Sequence, residues 1–251
     1  MAKAIEKKTI KKNLSAKEFE RRLTALHSPA ELIKIQGYFK SGKGQYGEGD
    51  QFLGVRMGQL FALAKEFIDM PITELEKLLD HKIHEMRAGA LSIMDKQSRR
   101  RKMSEADRKA LFDLYMRRHD RINNWDLVDV SCIHVVGQYL ADKPRDILYK
   151  LARSRNMWER RTAIVSTAYF LKSGDVKDTF KIAELLIHDK EDLIHKAVGG
   201  WVRHAGRGKF RPELIAFLDK YGATMPRVAL RYAIEHLDAK LKKYYMQLGA
   251  G

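Results

Sequence analysis

Arg87-Ala88-Gly89-Ala90-Leu91, Arg161-Thr162-Ala163-Ile164-Val165 and Lys196-Ala197-Val198-Gly199-Gly200 are three versions of one short pattern. Each begins on a basic residue and passes through small residues towards an apolar stretch. Small residues at helical spacing let one helix approach another closely. Five helices of this kind are expected, at 85–96, 124–140, 158–171, 193–207 and 226–237. Their starts lie roughly 33 to 39 residues apart, the period of two-helix repeats. Stacked pairs of this size make a curved solenoid whose second helices line the concave face. The fold expected is therefore all-α, a solenoid of HEAT-like two-helix repeats.

The rest of the chain agrees with a helical reading. Apolar residues recur at three- and four-residue spacing in Phe19, Leu23 and Leu26, and again in Leu60, Leu63, Ala64, Phe67 and Ile68. All five prolines, Pro29, Pro71, Pro144, Pro212 and Pro226, fall where helices should start or stop. Ser104 with Asp107, and Thr73 with Glu76, have the spacing of a helix N-cap. No stretch combines period-two alternation with turn signals at both ends, so no strand is expected. Residues 15–251 are read as one repeat domain and 1–14 as a basic tail. The segment 41–50 contains a literal G-x-G-x-x-G at Gly42, Gly44 and Gly47. It lacks the preceding strand that a dinucleotide site requires and reads as a flexible loop between helices.

Composition narrows the partner. With 45% hydrophobic residues the chain can bury a core, and no apolar run approaches the ~18 residues of a membrane span. Lys+Arg number 48 against 32 Asp+Glu, a net charge of +16 that calls for a polyanion. Membrane-surface binding would need a basic amphipathic helix with an exposed apolar face, and every apolar face here is better used in a core. Nucleic acid is the expected partner, and a cytoplasmic or nucleoid location follows because residues 1–13 lack the apolar region of a secretory signal. In the repeat register, Arg87, Arg160, Arg161, Lys196, Arg203, Arg227 and Arg231 recur near second-helix starts and would form a positive groove. The single cysteine, Cys132, lies among apolar residues and reads as a buried, inert thiol. His81-Lys82-Ile83-His84-Glu85 has neither zinc-hydrolase order and reads as surface. No metal and no cofactor is expected.

The stretch richest in chemistry is Asn123-Asn124-Trp125-Asp126-Leu127-Val128-Asp129. Trp125 and Asp129 are four apart and share a helix face, while Asp126 is rotated by about 100° and suits the helix start. An aromatic ring beside a carboxylate, in a basic protein, can hold a cation and stabilise a developing positive charge.

These residues, with Phe52-Leu53-Gly54-Val55, the run from Glu85 to Met94, Trp158-Glu159-Arg160-Arg161-Thr162-Ala163-Ile164 and Lys196-Ala197-Val198-Gly199, resemble the AlkD family of DNA alkylation repair glycosylases over most of the chain. The resemblance implies excision of cationic N3- and N7-alkylated purines from double-stranded DNA without base flipping, and a monomer is the default expectation. It implies a catalytic role for Asp129, with Trp125 and Arg161 completing the site and Arg161 binding a neighbouring phosphate. It places Tyr38 near the DNA and sets Trp201 beside the family's second cleft tryptophan, while the groove read from the repeat register gives DNA contacts for Arg87, Arg160, Lys196, Arg203 and Arg227. The family's second cleft tryptophan follows A-x-G directly, whereas this chain reads Ala197-Val198-Gly199-Gly200-Trp201. A one-residue shift turns a helical side chain by about 100°. Trp201 therefore has two readings, a wall of the cleft or a core residue rotated out of it. Two other functions stay open on the same fold, a non-catalytic binder of DNA or DNA structures and a scaffold for proteins.

Overall fold

The computed structural model describes residues 13–248, so the tail expected at 1–14 lies almost wholly outside the described residues. Among those residues there is no β-strand, only an isolated bridge between Gln51 and Ile83. Helix pairs succeed one another along the chain: Ile72–Leu79 with His84–Ser98, Glu105–Arg117 with Trp125–Cys132, Asp146–Ala152 with Met157–Ser166, Lys177–Leu186 with Asp192–Ala205, and Arg211–Tyr221 with Arg227–Ala233. The second helices stack in chain order, each on the one before, starting from Met57–Glu66. The protein is an all-α solenoid, and the apolar positions of the repeats meet in one continuous core, in which Leu91, Leu127, Val128, Ile164 and Val198 are fully buried.

The small residues do what their pattern suggests. A Cβ on Gly199 would lie 2.2 Å from the Ala229 carbonyl, and one on Gly137 would lie 2.3 Å from the Ser166 carbonyl. At both places a helix rests directly on the backbone of the next second helix. Gly200 is different, because a Cβ there meets nothing within 4 Å. Gly199→Ala is thus expected to cost about 1–3 kcal/mol by overpacking. Gly200→Ala should stabilise by about 0.4–1 kcal/mol, since its helical backbone accepts alanine without strain. Urea unfolding of the two variants checks this, and equal stabilities would contradict the close approach at Gly199.

Local details follow the sequence with two adjustments. Ser104 accepts a hydrogen bond from the Asp107 amide at 3.0 Å, as its spacing predicts. Thr73 does not cap, because its helix begins at Ile72 with Pro71 in the cap position. The helix expected over 124–140 passes after Cys132 into a π-helical turn, Ile133–Gln138. Cys132 is fully buried, and burial pushes its thiol well above the usual range.

Before the repeats, Ala16–Thr24 and Met57–Glu66 pack into the core, whereas Pro29–Tyr38 buries no residue and runs over the surface to Tyr38. The chain returns from the 41–50 loop through Leu53, Gly54 and Val55, whose amides donate to the Glu85 carboxylate at 2.9, 2.8 and 3.4 Å. That contact fixes the N-terminal segment against the helix His84–Ser98.

Candidate active site

A cleft of about 470 Å³ opens between the second helices, with Trp125, Asp129, Arg161, Lys196, Trp201 and Arg203 in its walls and Tyr38 at its edge. Its first wall is the helix Trp125–Cys132. Asn124 caps that helix by accepting from the Trp125 amide at 2.9 Å. Asp129, one turn on, shares the exposed face. Asp126 turns away from the cleft and meets His84 Nε2 at 2.8 Å.

Arg161, on the helix Met157–Ser166, reaches Asp129 from the next repeat. Its Nε and Nη2 donate to the two carboxylate oxygens at 2.9 and 2.7 Å, and its Nη1 donates to the Leu193 carbonyl at 2.8 Å. This bidentate pairing orients the carboxylate and commits the guanidinium to it. In place of the phosphate contact expected for Arg161, the structure shows its guanidinium paired with Asp129. The Asp129 side chain stays 37% exposed while Arg161 is 11% exposed, so the carboxylate is the member that faces the open cleft.

Trp201 stands opposite, half-buried, its ring edge against His204 at 5.6 Å and 79°. Of its two readings, the structure has the cleft wall. Gly200 also lines the cleft, since the lining stripe is wider than the 100° separating neighbours on a helix. Lys196 is part-exposed, with Nζ 2.7 Å from Asp192, a hydrogen bond that raises its pKa. Arg203 pairs with Glu235. Tyr38 is 65% exposed and sets its ring edge against Trp125 at 5.7 Å.

Three expected DNA contacts are elsewhere. Arg87 is buried, donating to Asp50 at 2.7 Å, Asn123 at 3.1 Å and the carbonyls of His81 and Lys82. Arg160 is buried against Asp189, with bonds of 2.5 and 3.0 Å, and against the carbonyls of Ser154 and Arg155. Arg227 donates to the carbonyls of Met246 and Leu248 at 2.6 and 3.2 Å, clamping the helix Ala239–Gln247. All three face carboxylates or carbonyls of the protein itself, which is why they leave the groove.

His84 corrects the surface reading as well. It is 1% exposed, with Nδ1 3.5 Å from Asp50 and Nε2 at Asp126. Burial alone would lower its pKa, but the Asp126 charge and hydrogen bond, with Asp50 behind them, outweigh burial and raise it to about 9. Burial likewise pulls Asp50 up, and hydrogen bonds from His84 and Asn124 with the Arg87 charge bring it to about 2. His84 thus lies between two carboxylates, with its ring packed against Phe39 and Phe52, and Phe39 in turn stacks on Trp125. Sequence reasoning also missed His204 and Tyr232, both in the cleft. His204 has a pKa lowered by burial and by Arg207 and Arg203, so it adds a neutral ring. Neither residue carries a sequence signal that separates it from an ordinary helix-surface side chain.

The cleft therefore combines one exposed carboxylate, two tryptophan rings and a cationic surround, on the face where the second helices stack. No curated protein matches the chain. A solved structure described as a predicted DNA alkylation repair enzyme from Enterococcus faecalis is similar in fold, with a TM-score of 0.63 and 17% identity over 85% of this chain and 97% of that one. A family model described as DNA alkylation repair enzyme matches residues 19–237. Spanning nearly all of the stacked helices and every wall of the cleft, that match means that the chain belongs to the DNA alkylation repair enzyme family.

Proposed function

We propose that the protein is a DNA glycosylase that hydrolyses the N-glycosidic bond of cationic N3- and N7-alkylated purines in duplex DNA, working as a cytoplasmic monomer without extruding the base. The observation that carries this reading is the meeting of Trp125, Trp201 and an exposed, oriented Asp129 in one cleft of a strongly basic protein. Alkylation already makes the base a good leaving group, so a general acid, the usual second carboxyl of glycoside hydrolysis, is unnecessary. When the bond to C1′ breaks, its electron pair leaves with the purine and neutralises the ring. The sugar becomes an oxocarbenium-like cation, and Asp129 stabilises it by charge. A water held by the carboxylate adds to C1′ and sheds a proton to solvent. Arg161 keeps the carboxylate aimed, and the tryptophan faces hold the cationic sugar and lesion. Lys196 and Arg203 meet the backbone phosphates.

The decisive measurement is release of 7-methylguanine and 3-methyladenine from methylated duplex, compared with the rate without protein. Release no faster than that background would leave a non-catalytic binder of DNA on the same fold. Affinity for undamaged duplex should fall with salt. For about five neutralised phosphates, log K against log salt has a slope near −4.5, and a slope near zero would exclude DNA from the basic face. Trp201→Ala should fold and still bind undamaged duplex, but lose about 0.5–2 kcal/mol of cation–π contact with the lesion site. An unfolded Trp201→Ala protein, or one excising at the native rate, would remove Trp201 from the cleft wall.

A further inference from the structure

The 41–50 loop has a place in this site that its glycine-rich sequence conceals. Its last residue, Asp50, has a side chain only 3% exposed. The Asp50 carboxylate accepts from Arg87 at 2.7 Å, from Asn123 at 3.1 Å and from Asn124 at 3.0 Å. Asn124 is the residue whose other side-chain atom caps the Trp125 amide. His84 ties the same carboxylate to Asp126, so both neighbours of Trp125 in sequence are held from Asp50. At the loop's other end Phe39 stacks behind the Trp125 ring, centroids 5.6 Å apart and planes 21° apart. Between these ends Tyr46 reaches the next repeat and sets its ring against Trp158 at 6.2 Å and 76°. Trp158 opens the helix Met157–Ser166, which carries Arg161.

We infer that the 41–50 loop is a strap across the starts of the two helices that carry Asp129 and Arg161, with Asp50 and Tyr46 as positioning residues for Trp125 and for the Asp129–Arg161 pair. The carboxylate and its guanidinium sit on different repeats, so their bidentate geometry depends on the relative placement of two helices. A tie to both helix starts holds that placement. Small displacements of reacting groups cost large factors in rate, while phosphate contacts elsewhere on the face are indifferent to them. The strap thus governs turnover and leaves affinity alone.

The effect on rate rests on the glycosylase reading; the coupling of the two helix starts does not. The test uses full-length protein labelled with 5-fluorotryptophan, native and as Asp50→Asn, Tyr46→Ala and Tyr46→Phe. Tyr46→Ala touches Trp158 directly, so its informative signal is the Trp125 fluorine resonance; for Asp50→Asn it is that of Trp158. Both distant resonances are expected to move while that of Trp201 stays, and Tyr46→Phe, which keeps the ring, should restore the native spectrum. Single-turnover excision of 7-methylguanine should fall about tenfold in Asp50→Asn and Tyr46→Ala, with the Kd for undamaged duplex within about twofold of native. Distant resonances that do not move would overturn the strap whatever the enzyme does. If the native protein excises nothing, the glycosylase reading fails and the fluorine spectra alone decide. A change in Kd with an unchanged excision rate would make the loop a DNA contact and overturn the positioning role. Should Asp50→Asn fail to fold, Tyr46→Ala carries the test, since Tyr46 is a half-buried side chain at the loop's surface.

Discussion

Asp129→Asn is expected to slow single-turnover excision of a 7-alkylguanine about a hundred- to a thousand-fold, the ~2.7–4 kcal/mol that a preorganised electrostatic contact supplies. Asparagine matches aspartate in size and keeps one oxygen for Arg161, whose guanidinium is also anchored on the Leu193 carbonyl. The fold should therefore survive. What disappears is the negative charge facing the sugar. In addition, Arg161 is no longer neutralised and adds a positive charge next to a substrate that is itself cationic. Affinity for undamaged duplex should hold or rise slightly, because a carboxylate beside the phosphate backbone is repelled by it. The comparison must be made against the rate without protein, since cationic purines also leave spontaneously. An Asn variant that excises at the native rate would remove Asp129 from the chemistry.

Arg160→Ala should act on stability alone and cost about 3–5 kcal/mol, the usual consequence of removing one partner from a buried ion pair. Asp189, with a side chain only 6% exposed, would be left with a buried charge and a single remaining bond from the Glu191 amide. The carbonyls of Ser154 and Arg155 would lose a donor as well. Urea unfolding measures the loss. The double variant Arg160→Met/Asp189→Leu should recover most of it, since an apolar pair of similar volume leaves no charge uncompensated. Excision by the folded fraction of Arg160→Ala should equal the native rate. A stable Arg160→Ala protein with weakened DNA binding would instead return this arginine to the groove.

Arg160 also shows where sequence stops being informative. The solenoid was legible because its signal is local: small and apolar residues at fixed places in each repeat, with Gly137 and Gly199 resting on the next helix. Trp125 and Asp129 were legible for the same reason, as neighbours on one turn. The fate of a charge is decided by partners far away in the chain. Arg87 finds Asp50 at a separation of 37 residues, Arg160 finds Asp189 at 29, and His84 finds Asp126 at 42. Nothing around those positions distinguishes a cation facing solvent from one facing a buried carboxylate. Trp201 was ambiguous for another reason. An offset of one residue excludes a side chain only from a narrow stripe, and the width of this cleft is a property of the assembled helices.

The contacts of Asp50 bear on the order in which the molecule assembles. Stacking joins each helix pair only to its neighbours, so most of the solenoid closes short loops and can begin to form anywhere along its length. Asp50 is bonded to Asn123 and Asn124 across 73 and 74 residues, and Tyr46 meets Trp158 from still farther. Those contacts have no fixed partner until the intervening pairs have stacked, and closing so long a segment earlier would cost entropy with nothing to offset it. The helices that bear Asp129 and Arg161 are therefore expected to come together before the loop docks across their starts and completes the surroundings of Trp125.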